Sequence, residues 1–112
     1  MVEHAGVKIL LGGDATPKAW EDIYHEVGPE GLKADVFHAP HHGSKHNINK
    51  DVFEHIKPEV VIVSVVEGTE YAYSYYDELA TGKNGVFSTK YYGNITLEVP
   101  SNGNYDFYAD NA

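Results

Sequence analysis

The feature that most constrains the fold is one unbroken apolar run, EVVIVSVV, over residues 59–66. Valine and isoleucine dominate it, and no regular alternation with polar residues marks a side that faces solvent. A strand of this kind is typical of the centre of a parallel sheet that is covered on both faces. We therefore expect an α/β fold built around this segment.

The segments on either side of this run alternate between strand and helix patterns. In chain order we predict a strand at 7–13, a helix at 18–27 that Gly28 and Pro29 stop, a strand at 34–39, a helix ending before Pro58, the central strand, a helix at 73–79, and three strands with the sequences GVFST, NITLEV and YDFYA. This order indicates a mixed sheet flanked by helices, with a small antiparallel ending. We expect one domain over residues 1–112.

Two helix starts can be read directly from the sequence. Thr16 followed by Pro17 is an N-cap and first-turn pair, and an apolar face recurs at i, i+3, i+4 and i+7 from Trp20 to Val27. The second helix, which carries Val52-Phe53, is capped either by Asn47 or by Asn49.

Composition excludes several classes of function. The chain has 8 Lys and Arg against 17 Asp and Glu, a net charge of -9, so binding to nucleic acid through charge alone is disfavoured. It has no cysteine, which excludes disulfides and thiolate metal sites. No apolar run approaches the ~20 residues of a membrane-spanning helix, and no signal-peptide pattern is present, so the sequence leaves the location open.

Four of the seven histidines fall in one short stretch, DVFHAPHHGSKHN, over residues 35–47. Asp14 directly follows the first predicted strand, and His41 and His42 follow the second. The carboxyl ends of parallel strands meet at one edge of a sheet, so these side chains should lie close together. A carboxylate and imidazoles suit Zn²⁺, Mn²⁺ or iron. The alternative is a turn stabilised by Asp14 beside a solvated histidine loop.

The two adjacent histidines cannot easily point the same way on an extended backbone. One could bind a metal while the other contacts a substrate or carries a proton near neutral pH. We interpret His38 as structural, facing solvent or a backbone carbonyl. The remaining histidines, His4, His25, His46 and His55, are interpreted as surface residues.

Together these segments resemble a known family. ILLGGDAT (Ile9–Thr16), ADVFHAPHHGSKHN (Ala34–Asn47) and IKPEVVIVSV (Ile56–Val65) are similar to the second half of a metallo-β-lactamase-fold hydrolase. The nearest branch is that of the DNA-uptake protein ComEC and related free-standing hydrolases. The resemblance runs from about Val7 to about Ile95, and the joint occurrence of GD and PHHGS carries it.

The resemblance implies a fold, a site and an activity. The fold would be half of an αββα sandwich. Asp14 would match the aspartate that bridges two metal ions, zinc or manganese, and His42, or less favourably His41, a late histidine ligand. The other histidine of the pair, which we take as His41, would be catalytic and lie near the scissile bond. Such enzymes cleave phosphodiesters or other esters with metal-activated water.

Two departures from the family pattern limit this assignment. The defining motif HxHxDH is absent from the chain, and where relatives of ComEC carry YGHP this sequence has YAYS, with Tyr73 and Ser74 in place of His and Pro. The chain therefore supplies at best two ligands, whereas a catalytic metal usually needs three. We expect an incomplete hydrolase that pairs with a second copy or with a missing N-terminal half.

Two other hypotheses stay open at this level. One is a catalytically inactive binding or regulatory module that descends from the same fold, which Tyr73 in place of His favours. The other is a single ion held weakly by His38, His41, His42 and His46. The substrate is not identified by the sequence, because one fold supports many activities.

Overall fold

The structure is a computed structural model that describes residues 1–65, 72–82, 85–89 and 93–110. Val66, the last residue of the predicted central strand, and Tyr71, the first residue of the YAYS stretch, lie outside the described residues. The strands are β1 (Val2–His4), β2 (Val7–Leu11), β3 (Val36–His38), β4 (Val60–Val63), β5 (Val86–Ser88), β6 (Ile95–Glu98) and β7 (Asp106–Ala109); the helices are α1 (Pro17–Leu32), α2 (Lys50–Phe53) and α3 (Tyr73–Leu79), with short 3₁₀ turns at Pro40–Gly43 and Lys45–Asn47.

Five strands form one mixed sheet in the order β1-β2-β3-β4-β5. Strands β2 to β5 are parallel, with Leu10 opposite Phe37 and Phe37 opposite Val61. The prediction of an α/β fold with a mixed sheet and helices is confirmed. Its assignment to a metallo-β-lactamase half-fold stays a prediction.

Two details of the sheet differ from the sequence-based expectation. A strand that was not predicted, β1, pairs antiparallel with β2 through a turn at Ala5-Gly6, whose φ angles are 51° and 82°. Strand β5 does not belong to the antiparallel ending, because it pairs parallel with β4. Only β6 and β7 form that ending, as a separate antiparallel hairpin.

The first helix is longer than predicted. Thr16 caps it, because its hydroxyl accepts from the backbone N–H of Ala19 at 3.2 Å. Gly28 breaks the helix with a φ of 74°, as its sequence position suggests, but the chain resumes helical geometry at Pro29 and continues to Leu32. Leu32 is buried in the core, and this burial favours the additional turn.

The helices share one face of the sheet with an aromatic core. Trp20 of α1 and Phe53 of α2 meet edge to face at 5.1 Å, and both contact Phe37 of the central sheet. Asn49, not Asn47, caps α2 by accepting from the N–H of Val52 at 3.2 Å. Tyr76 of α3 completes this core.

The β6–β7 hairpin lies against the opposite face of the sheet. The rings of Phe87 and Phe107 stack at 5.1 Å, and the hydroxyl of Tyr105 donates to Glu59 at 2.8 Å. Leu11 at the end of β2 is left 57% exposed. No helix in the described part of the chain has the length and apolar character needed to cross a membrane.

Candidate functional site

The carboxyl ends of three parallel strands meet at one edge of the sheet, where they form a cleft of 220 Å³. We call this cleft the histidine rim; it is lined by Gly13, Asp14, His38, Ala39, His41, His42 and Ser64. Asp14, His41 and His42 thus lie along one cleft, in agreement with the order of the strands. Their roles as metal ligands and as a catalytic residue stay predictions.

Gly12 allows the first two strands to end this close together. Its N–H donates to the carbonyl oxygen of His38 at 2.9 Å. A Cβ at this position would lie 2.7 Å from the backbone nitrogen of Pro40 and 2.8 Å from the same His38 oxygen. Because backbone atoms cannot swing aside, only glycine fits here. The next residue, Gly13, has a φ of 53° and accepts from the N–H of His41 at 2.9 Å.

The backbone of the histidine pair is strained. His41 and His42 both adopt left-handed geometry, with φ angles of 48° and 56°. Residues with a Cβ rarely do so, and each such position costs about 1 kcal/mol or more. Backbone hydrogen bonds hold both ends of this loop in place. The carbonyl oxygen of Gly13 accepts from the N–H of His41, and that of Gly43 accepts from the N–H of Ala72 at 2.9 Å. Strain of this kind concentrates at functional sites.

The ring of His42 has a defined tautomer. Its Nδ1 lies 2.8 Å from the carbonyl oxygen of Ser64, which can only accept, so Nδ1 carries the proton. In the neutral ring the lone pair is then on Nε2. The neighbouring His41 has a buried Nε2 without a hydrogen-bond partner among the described residues. Both imidazoles therefore retain a nitrogen that could serve a ligand.

His38 belongs to the site, which corrects its interpretation as a residue facing solvent or a backbone carbonyl. Its Nε2 lies 2.9 Å from the hydroxyl oxygen of Ser64, a side-chain partner. Burial, and secondly the nearby charge of His42, lower the pKa of His38 below its ordinary value of 6.5. The ring is consequently neutral at pH 7.

Ser64 is the residue that the sequence analysis missed. Its hydroxyl meets His38 and its carbonyl oxygen meets His42, so it joins two of the histidines. The sequence did contain a signal for this residue. Ser64 is the polar residue inside the apolar run, and it directly follows the third parallel strand, where ligand-binding residues tend to lie.

The donors of the histidine rim fit part of a metal site. Asp14 and His42 are suitable ligands for Zn²⁺ or Mn²⁺ by their chemistry. However, the described residues contain no group of three or more His, Asp or Glu side chains arranged to hold a metal ion. Two donors fall short of the three that a catalytic metal usually needs. Any complete site would draw on donors beyond those described.

Comparison with known protein families, with curated proteins and with solved structures gives no match to this chain. The assignment of function therefore depends on the geometry of the histidine rim and on the motifs that carry the resemblance.

Proposed function

We propose that this chain carries half of the metal site of a metal-dependent hydrolase, of the metallo-β-lactamase kind, that cleaves phosphodiester or other ester bonds. The observation that supports this most is the anchored ring of His42, which shares a cleft with Asp14. Histidines that bind metals almost always donate from their other nitrogen to a carbonyl or carboxylate, which fixes the ligating nitrogen. His42 has this arrangement, with Nε2 as its ligating atom.

In this proposal each residue has a distinct role. Asp14 and His42 would hold the metal, whose charge would activate water and stabilise charge in the transition state. His41 is the catalytic residue, because its buried Nε2 has no other partner in the described part of the chain and could exchange a proton with a substrate. His38 and Ser64 orient the cleft. We derive no further catalytic step, since two ligands do not complete the site.

The remaining ligands would come from a second polypeptide, either another copy of this chain or the N-terminal half of the fold. The sheet face beside the β6–β7 hairpin supports such a contact. Leu11 and Val2 at its edge are 57% and 49% exposed, and apolar side chains that cluster at a surface often mark an interface.

Titration calorimetry with Zn²⁺ and Mn²⁺ tests the proposal, with sedimentation velocity as a second readout. We expect the metal to bind and to shift the chain towards a dimer, because two half-sites would share the ions. Asp14→Ala and His42→Ala should each abolish both effects. His25→Ala, at an exposed position on α1, is the matched control and should preserve them.

A chain that takes up no metal and sediments identically with and without it would contradict the arrangement in which a second copy of this chain completes the metal site. That result would favour the second candidate, an inactive binding or regulatory module. The lack of a three-ligand group among the described residues and the tyrosine at position 73 support this alternative.

A further inference from the structure

A second cleft lies at the other end of the sheet. It has a volume of 430 Å³, and we call it the lysine cleft; it is lined by Lys8, Pro29, Glu30, Lys33, His55 and Lys57. None of these residues takes part in the histidine rim, and nothing in the proposed hydrolase function uses them.

Topology explains why three lysines meet here. Lys8 is the second residue of β2, whereas Lys33 and Lys57 each stand three residues before the strand that follows them, β3 and β4. These strands are parallel neighbours, so their amino ends lie at one edge of the sheet. The histidine rim occupies the carboxyl ends of the same strands. The two sites are therefore separated by the length of the sheet.

The charge of the lysine cleft opposes that of the whole chain. The chain has 8 basic residues, all of them lysine, and a net charge of -9. Three of those lysines line this one concavity, where Glu30 is the only carboxylate among the described lining residues. The cleft is thus a local concentration of positive charge on an acidic protein, and such a concentration attracts anions.

Favourable interactions between lysines and helix C-termini do not account for all three lysines of the cleft. Lys33 is the C-cap of α1 and would stabilise that helix end through its charge. Lys8, by contrast, lies on a strand, far from any such role. Lys57 has a φ of 46°, a left-handed conformation that costs a lysine about 1 kcal/mol and that asparagine or glycine would adopt more easily. The left-handed backbone at this position therefore does not itself favour lysine.

We propose that the lysine cleft binds a small phosphorylated molecule, with its phosphate among the ammonium groups of Lys8, Lys33 and Lys57. Lysine binds phosphate as a flexible point charge, and three lysines can surround one dianion. The volume of 430 Å³ falls within the range of about 300–1,000 Å³ that is typical of small-molecule sites. A long nucleic acid is disfavoured, because the rest of the surface would repel its backbone.

NMR titration of the full ¹⁵N-labelled chain tests this site, with inorganic phosphate and glycerol 2-phosphate as probes and glycerol as the uncharged comparison. We expect saturable shifts of the amides of residues 8, 33 and 57 with both phosphates and none with glycerol. The amides of residues 13, 14, 41 and 42 should not move. Absence of saturation, or shifts centred on the histidine rim, would overturn the proposal.

Variants sharpen the experiment. Lys33→Gln and Lys57→Asn should each raise the dissociation constant for phosphate about tenfold, since each removes one charge-assisted contact. Asparagine is chosen at position 57 because it tolerates the left-handed backbone. The control is Lys18→Gln, which removes the same charge from an exposed lysine paired with Asp22 on α1. Equal affinity in all three variants would reject the site. Saturable binding of a single-stranded oligonucleotide that Lys33→Gln abolishes would reject the small-molecule assignment.

Discussion

The Nδ1 atom of His42 donates a hydrogen bond of 2.8 Å to the backbone carbonyl oxygen of Ser64, 22 positions further along the chain. This contact ties the left-handed loop after β3 to the end of β4. The hydroxyl of the same serine lies 2.9 Å from Nε2 of His38. One residue thus holds two imidazoles by two different atoms, which allows their contributions to be separated by mutation.

Ser64→Ala should affect His38 and spare His42, because alanine removes the hydroxyl but retains the backbone carbonyl. We expect the ring of His38 to lose its fixed partner, and the free energy of unfolding to fall by about 1 kcal/mol. The measurement is ¹⁵N NMR of the imidazole nitrogens, combined with urea unfolding. In Ser64→Thr, which restores a hydroxyl, the His38 signals should return towards those of the wild type. A change in the tautomer of His42 with no change at His38 would contradict this arrangement.

Gly12→Ala and Gly13→Ala separate two reasons for glycine after β2. The first variant tests the close approach of Gly12 to the backbone at Pro40, and the second tests the left-handed backbone conformation of Gly13. The new methyl at position 12 would lie 2.7 Å from the Pro40 nitrogen, so we expect a loss of about 3 kcal/mol through overpacking. A Cβ at position 13 would have no described atom within 4 Å beyond the adjacent residues, so only the positive φ of 53° opposes alanine, at a cost of about 1 kcal/mol. Urea unfolding gives both values.

The two glycine variants should also differ in their effect on the site. Gly12→Ala must displace the backbone at Pro40, so the amide signals of His41 and His42 should shift, whereas Gly13→Ala should disturb them less. Equal losses of stability in the two variants would show that the strand ends are not in close contact.

The fold could be predicted where local sequence and tertiary structure agree. Val60–Val63 is a strand by its own β-branched composition, and burial on the sheet only strengthens that preference. In contrast, β1 has no local signal, since all three of its residues are exposed, and it depends on the turn at Ala5-Gly6. The additional turn of α1 beyond Gly28 likewise depends on the burial of Leu32, which no local pattern encodes.

The candidate site could be predicted in position but not in detail. The rule that parallel strands end at one edge places Asp14 beside His41 and His42. It does not reveal which ring nitrogen is free, because that depends on the contact between His42 and Ser64. Nor does it reveal the positive φ of His41, since a left-handed histidine follows from tertiary hydrogen bonds and not from residue preference.

Acidification should destabilise the protein through His38. Its pKa in the folded state lies below the ordinary 6.5 because of burial and the charge of His42, so the unfolded chain binds the proton more readily. The contribution of His38 is therefore fully retained above about pH 6.5 and is lost as the pH falls from there through the folded-state pKa. Urea unfolding at a series of pH values measures this slope.

His38→Gln isolates that effect from the other histidines. Glutamine cannot titrate, so the variant should lose less stability than the wild type between pH 7 and pH 5. NMR titration of the His38 ring gives an independent value of its pKa. A midpoint at or above 6.5, or identical pH slopes in the two proteins, would contradict the prediction.

Two tyrosines should differ in how the loss of their hydroxyl groups affects the free energy of unfolding. The hydroxyl of Tyr76 is buried without a hydrogen-bond partner among the described residues, and burial raises its pKa strongly. The hydroxyl of Tyr105 donates to Glu59 at 2.8 Å. Because an unsatisfied buried hydroxyl carries a desolvation cost, Tyr76→Phe should leave the free energy of unfolding unchanged or raise it by about 1 kcal/mol. Tyr105→Phe should lower the free energy of unfolding by about 0.5–1 kcal/mol, since it removes an existing hydrogen bond near the surface. Urea unfolding of both variants under identical conditions provides the comparison. A clear loss of stability in Tyr76→Phe would mean that its hydroxyl has a partner in solution.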